Sequence, residues 1–245
     1  MTFKLFPILD KMIDFYLKPA GIDRFHEYLD ILKGDSKDNL EVPIPNFNPM
    51  AKKHVLEKLL ELKKLNVEEV IKEVLNNINQ RTSLQTSVEI DVVLSLADDL
   101  KGGWTNLYTT NYDSKFKLNA YVSRDFCIPI FWSSEEYNID IIQRRTEEYC
   151  FRTLYWKKYQ KPRTLEEHVK QEQFVNQNCT IDCNNEKLLD FPFIDRYYKI
   201  HKDSTEHSRI FNFMYGDDPC SELGYVKYEI KESFAGYKYA RINHS

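Results

Sequence analysis

Apolar residues recur at helical spacing through the first third of the chain. Over residues 3–33 they form two stripes: Phe6, Leu9, Met12, Ile13 and Tyr16, then Phe25, Tyr28, Leu29 and Leu32. Pro19 and Gly21 separate the stripes into two helices. Gly34 opens a loop that runs through Pro43, Pro45 and Phe47. Asn48-Pro49 then reads as an N-cap followed by proline at the first helical position. Val55, Leu56, Leu59, Leu60, Leu62 and Leu65 give that helix its core stripe. Asn66, with Glu69 three residues on, starts another helix whose stripe is Val67, Val70, Ile71, Val74, Leu75 and Ile78.

The period then changes from about 3.6 to two. Val88, Ile90, Val92, Leu94 and Leu96 alternate with Glu89, Asp91, Val93 and Ser95, a strand whose second half is apolar enough to be buried on both faces. Phe126 to Trp132 is a second strand candidate with a conflict inside it, because Pro129 cannot donate to a β-ladder. A long helix follows, with Ile142, Thr146, Tyr149, Cys150, Thr153, Leu154 and Trp156 inward, and Lys161-Pro162 stops it. Thr164 with Glu167 is a capping box for the next helix. Asp218-Pro219 starts a single turn that Gly224 ends. Tyr225, Val226, Tyr228 and Ile230, then Tyr237, Tyr239 and Arg241, flank Ala235-Gly236 and predict a hairpin. This order predicts an α/β (or α+β) fold: N-terminal helices followed by a mixed sheet with flanking helices and a C-terminal hairpin. The natural division is near residue 82, into an N-terminal helical region 1–82 and an α/β domain 83–245, joined as one continuous compact unit.

Composition narrows the function classes. Across 245 residues, 34 Lys+Arg against 38 Asp+Glu give a net charge of −4. That disfavours a protein held on nucleic acid by a basic face, and the lysines at 52, 53, 63, 64, 157 and 158 are each mixed with acids. No apolar run approaches the ~20 residues that span a bilayer, so no membrane role is expected. Asp10 and Asp14 fall where the apolar stretch of an export signal would be, and the five cysteines are odd in number and scattered, which points to cytoplasmic thiols. Cys179 and Cys183 lack the second pair that a zinc site needs. Residues 215–225 look like the close of an N-acetyltransferase domain, but the glycine loop that holds coenzyme A in that family is absent and nothing is carried over from it.

The chemistry concentrates after the first strand. Asp98, Asp99, Gly102, Gly103, Trp104, Thr105, Asn106 and Tyr108 follow its carboxyl end, the place where open α/β sheets bind ligands. Asp98 or Asp99 would act as a base or as a ligand to a divalent metal ion. The two glycines let the backbone approach a substrate that Thr105 and Asn106 hold, and Trp104 makes a wall. The plainer reading is a turn with a tryptophan plug. Ser133-Ser134-Glu135-Glu136 ends the second strand. If the two strands are parallel neighbours, both loops share one rim and Glu135 faces Asp98 or Asp99; otherwise the serines cap the long helix and the acids complement its dipole. Arg145 could bind an anionic substrate, although Arg144, Glu148 and Arg152 at i, i+4, i+8 read first as an ion-pair ladder. His168 and Glu172, also i, i+4, could supply two metal ligands or a hydrogen-bonded base, although a helix-face hydrogen bond is the first reading, and His54 reads as structural. Two functions follow. One is an enzyme acting on a small polar or anionic metabolite through Asp98, Asp99, Glu135 and His168, with Gly102, Gly103, Trp104, Thr105, Asn106, Tyr108 and Arg145 as substrate contacts and a divalent metal ion as a possible cofactor. The other is a non-catalytic binding or accessory protein that meets a protein partner, or its own copy, through the abundant Tyr and Phe.

Overall fold

The computed structural model describes residues 1–33, 44, 46–82, 88–100, 103–180 and 188–242. Gly34, Pro43, Pro45, Gly102 and Cys183 lie outside the described residues. The chain opens with a strand, where helical spacing predicted the first turns of a helix. β1 (Thr2–Leu5) ends at Phe6-Pro7. The helices α1 (Leu9–Leu17), α2 (Ile22–Lys33), α3 (Lys53–Lys64) and α4 (Val67–Arg81) follow; the stripe of α4 and Leu9, Met12, Ile13 and Tyr16 of α1 are buried, whereas Tyr28 is the buried member of the α2 stripe and Leu60 of the α3 stripe is exposed. Two start signals work differently from expectation. Asn48-Pro49 does not open α3; residues 48–51 form a turn in which Asn48 carbonyl accepts from Ala51 N–H, and Asn48 Oδ1 accepts from Met50 N–H. Asn66 stands at the head of α4 but in the left-handed region (φ 52°), making the corner between two helices rather than a side-chain cap.

The alternating run becomes β2 (Glu89–Val92) and β3 (Ser95–Ala97). After α5 (Leu107–Phe116) and the single turn α6 (Asn119–Val122) come β4 (Phe126–Cys127) and β5 (Ile130–Trp132). Every strand pairing is parallel: β1 with β2, β2 with β4, and β3 with β5. The expected mixed sheet is thus a parallel one among the described residues, because each connection between neighbours passes through helices and returns in the same direction. Pro129 explains why the ladder is split. Asp91 pairs with Phe126 and Ser95 with Ile130, so one register runs through both halves. Asp91, Val93 and Ser95 N–H donate to the carbonyls of Asp125, Cys127 and Pro129 at 2.9, 2.9 and 3.0 Å. In that alternation the donor to Val93 carbonyl would be residue 129, and proline has no N–H to give.

The second half is helical: α7 (Ile139–Lys158), α8 (Leu165–Asn178), α9 (Phe191–His201), α10 (His207–Tyr215), α11 (Asp217–Leu223) and α12 (Ala235–Ile242). The capping box at Thr164 and Glu167 is present, and Gly224 ends α11 with φ +68°. The predicted C-terminal hairpin is replaced by α12. Gly236, read as turn punctuation, is a packing glycine: a Cβ there would lie 2.5 Å from Met214 Sδ, so its absence lets α12 close on α10.

By its tertiary contacts the chain divides into two compact units. One holds Met1–Thr110 and Asn119–Cys150; the other holds Asn111–Leu118 and Phe151–Ser245. Residue 82 falls inside the first unit, since β1 pairs with β2 across it. The first unit is the α/β part: α4 packs along β1, α1 packs on α3, and Val92 through Asp98 are buried without interruption. The second is all helix, with Phe116, Phe211, Phe213, Tyr215, Tyr237 and Tyr239 in its core. No helix among the described residues is long and apolar enough to cross a membrane.

Candidate functional site

β3 and β5 lie side by side and parallel, so the loops that leave their carboxyl ends meet. Ser133 N–H continues the ladder by donating to Ala97 carbonyl at 2.9 Å. That bond sets the Ser133 hydroxyl beside Asp98. Ser133 Oγ lies 2.9 Å from Asp98 Oδ1 and 3.2 Å from Asp99 Oδ1. Ser134 then holds Asp99 from both sides, its N–H on Oδ1 at 3.1 Å and its Oγ on Oδ2 at 2.5 Å. Asp99 is therefore a bracket between the two loops. The serines do not cap α7, which begins five residues later with Asn138 Oδ1 accepting from Ile141 N–H.

Asp98 is 2 % exposed, at the very end of the buried strand. Its Oδ1 takes a second hydrogen bond, from His54 Nε2 at 2.8 Å. His54 stands on the first turn of α3 and its side chain is 30 % exposed. The carboxylate accepts from Nε2, and Nδ1 makes no hydrogen bond among the described residues. His54 was read as structural, and no local signal marks it otherwise, since its partner is 44 positions away.

The loop after Asp98 is folded back onto that residue's carbonyl. Thr105 N–H and Oγ1 both donate to Asp98 carbonyl, at 3.2 and 2.8 Å. Gly103 passes so close that a Cβ would sit 2.2 Å from the same oxygen. Gly103 is required here by close approach of backbone to backbone. Trp104, between these two anchors, is 59 % exposed and does not plug the core. Asn106 is the cap of α5: its Oδ1 accepts from the N–H groups of Tyr108 and Thr109, both at 3.1 Å.

Glu135 shares the loop with the serines but does not face the two aspartates. Arg145 takes its carboxylate with both terminal nitrogens, at 2.6 and 2.9 Å, and also donates to Ile130 carbonyl at 2.9 Å. Tyr137 OH donates to the same carboxylate at 2.6 Å, and Lys58 donates to Glu135 carbonyl at 2.6 Å. Burial alone would lower Arg145; the Glu135 pair outweighs it and holds the guanidinium above its ordinary value. Glu135 and Arg145 thus stiffen the loop that carries Ser133.

His168 belongs to the second unit and is enclosed there. Its Nδ1 lies 2.7 Å from Thr164 carbonyl, and its Nε2 lies 3.3 Å from Tyr112 OH. Burial lowers its pKa to about 4. Glu172 does not bond to it but pairs with Arg152, whose Nε and Nη2 donate at 2.9 and 2.6 Å. The expected ion-pair ladder on α7 therefore holds for Arg144 and Glu148, 2.9 Å apart, while Arg152 turns to α8. Among the described residues, no three His, Cys, Asp or Glu side chains gather so as to hold a metal ion. No known family, no curated protein and no solved structure matches the chain.

Proposed function

We propose that the chain is an enzyme acting on a small polar or anionic metabolite at the carboxyl ends of β3 and β5, with His54 as the group that moves a proton. One observation carries the reading. A carboxylate that is almost fully enclosed, Asp98, fixes one nitrogen of a histidine that reaches solvent. An imidazole oriented through one nitrogen, the other making no hydrogen bond among the described residues, suits general acid–base catalysis, and such a group contributes about 10²–10⁴-fold. Asp98 orients and Ser133 holds Asp98 in place. Trp104 would line the ligand on its exposed face. The loops are braced by Asp99 and by the Glu135–Arg145 pair, as a preorganised site demands.

The test is a thermal-shift screen of metabolites against the full chain and two variants. His54→Gln and Asp98→Asn should each lose the response to whichever metabolite stabilises the parent while still melting cooperatively. A full response in both variants defeats the reading. Trp104 also favours a second reading, a binding protein without catalysis, because most of the other aromatic side chains are buried and this one is not. In that case Trp104→Ala, and not His54→Gln, would lose a co-purifying protein.

A further inference from the structure

The segment that delivers His54 is held from behind by an unusual set of bonds. Arg24, on α2, is buried, and its guanidinium donates to three backbone carbonyls: Nε to Pro49 at 2.7 Å, Nη2 to Ala51 at 2.7 Å and Nη1 to Lys18 at 3.0 Å. Its guanidinium carbon lies over the Phe15 and Tyr16 rings, 5.5 and 5.3 Å from their centroids. Tyr16 OH adds a fourth bond, to Asn48 carbonyl at 2.9 Å. The carbonyls of residues 48, 49 and 51 are thus held by side chains from α1 and α2. This also explains why α3 cannot start at Asn48-Pro49: Pro49 and Ala51 turn their carbonyls toward Arg24 instead of along a helix axis.

A buried cation whose hydrogen bonds, among the described residues, all go to peptide carbonyls is costly to keep, and burial lowers the Arg24 pKa from its ordinary value. A fork that fixes two carbonyls so near the start of a helix specifies where that helix begins. His54 is three positions beyond Ala51, a reach of at most about 10 Å. A hydrogen bond weakens within a few tenths of an ångström of its optimum, and a misplacement of about 1 Å at a reacting group can cost ~10²-fold. We infer that Arg24, with Tyr16, is the positioning element that sets His54 against Asp98. The catalytic weight of this tether rests on the role proposed for His54; the tether itself does not.

The test reads His54 directly, by long-range ¹H–¹⁵N spectra of the full chain labelled at histidine, with the His54 signals assigned by their loss in His54→Gln. Arg24→Lys keeps the charge but replaces the planar fork by a single ammonium. In folded Arg24→Lys the Nε2–H resonance of His54 should be lost to exchange with water and its ring nitrogen shifts should move, while His168 keeps its signals. Unchanged His54 signals would overturn the inference. If Arg24→Lys does not melt cooperatively, Tyr16→Phe carries the test, with the same changes expected at smaller size and the same null outcome decisive. A metabolite response that survives His54→Gln would remove the proposed function and leave the tether standing; unchanged His54 spectra beside a lost metabolite response would do the reverse.

Discussion

Two polar clusters in this molecule each contain a carboxylate and an imidazole and differ in the physical respects that matter for chemistry. Around Asp98 a carboxylate, an imidazole and hydroxyls meet at the end of a parallel sheet, and the imidazole reaches solvent. Around Arg152 and Glu172 a buried ion pair sits with Gln171, which bonds Glu172 and accepts from the Trp156 indole, while His168 is sealed between a tyrosine and a backbone carbonyl. The second cluster uses both His168 nitrogens internally. In the first, Nδ1 of His54 makes no hydrogen bond among the described residues. The presence of a histidine beside a carboxylate decides nothing; which of its nitrogens remain unused does.

The contrast can be broken most forcefully in the second unit. Arg152→Ala leaves Glu172 enclosed without its partner and should cost about 3–5 kcal/mol in urea unfolding. Burial pushes Glu172 up, and it is held below the usual carboxylate range by Arg152 foremost, so the variant should also gain stability, relative to the parent, as the pH falls far enough to neutralise Glu172. A cost under about 1 kcal/mol would show that the pair is solvated and the comparison misdrawn.

Acid gives the next largest effect. His168 is neutral when folded down to about pH 4, whereas an unfolded histidine takes its proton near 6.5. Between those values the unfolded chain binds the extra proton, so stability falls as the pH drops through that window, by on the order of 3 kcal/mol from this one group. Unfolding free energies at pH 7, 6 and 5 should therefore decline less steeply for His168→Gln than for the parent. Equal slopes would mean that His168 is accessible to protons and no longer the closed counterpart of His54.

A smaller effect sharpens the first cluster. Gly103→Ala places a methyl against Asp98 carbonyl and should cost about 1–3 kcal/mol, because the atom it meets is backbone and cannot step aside. The accompanying shift of Asp98 should weaken the metabolite response more than the melting temperature. A variant as stable as the parent would show that the loop is not pinned where these contacts put it.

Much of the fold is legible in the sequence because it rests on local periodicity. The stripes of α3 and α4, the run from Val88 to Leu96 and the capping box of α8 announce themselves within a few residues. The failures have a common cause, a distant partner overriding a local signal. β1 exists because Val88 and its neighbours accept it as a parallel strand from the far end of the chain, and four residues are too few to display a period. Tyr237 and Tyr239 alternate as in a strand, yet Met214 requires a glycine at 236 in a helix. Asp98 was legible from its place after a strand. His54 was not, since the tether that brings it there spans from α2 and the acceptor lies beyond another helix and two strands.

β1 stops short. Its final ladder bond is Phe6 N–H to Val92 carbonyl, and Pro7 closes it. The sheet therefore narrows from three strands to two before it reaches its carboxyl end, and the flank of β3 opposite β5 carries no third strand among the described residues. A proline near the amino terminus thus limits how far the three-stranded part of the sheet extends toward Asp98, ninety-one positions downstream.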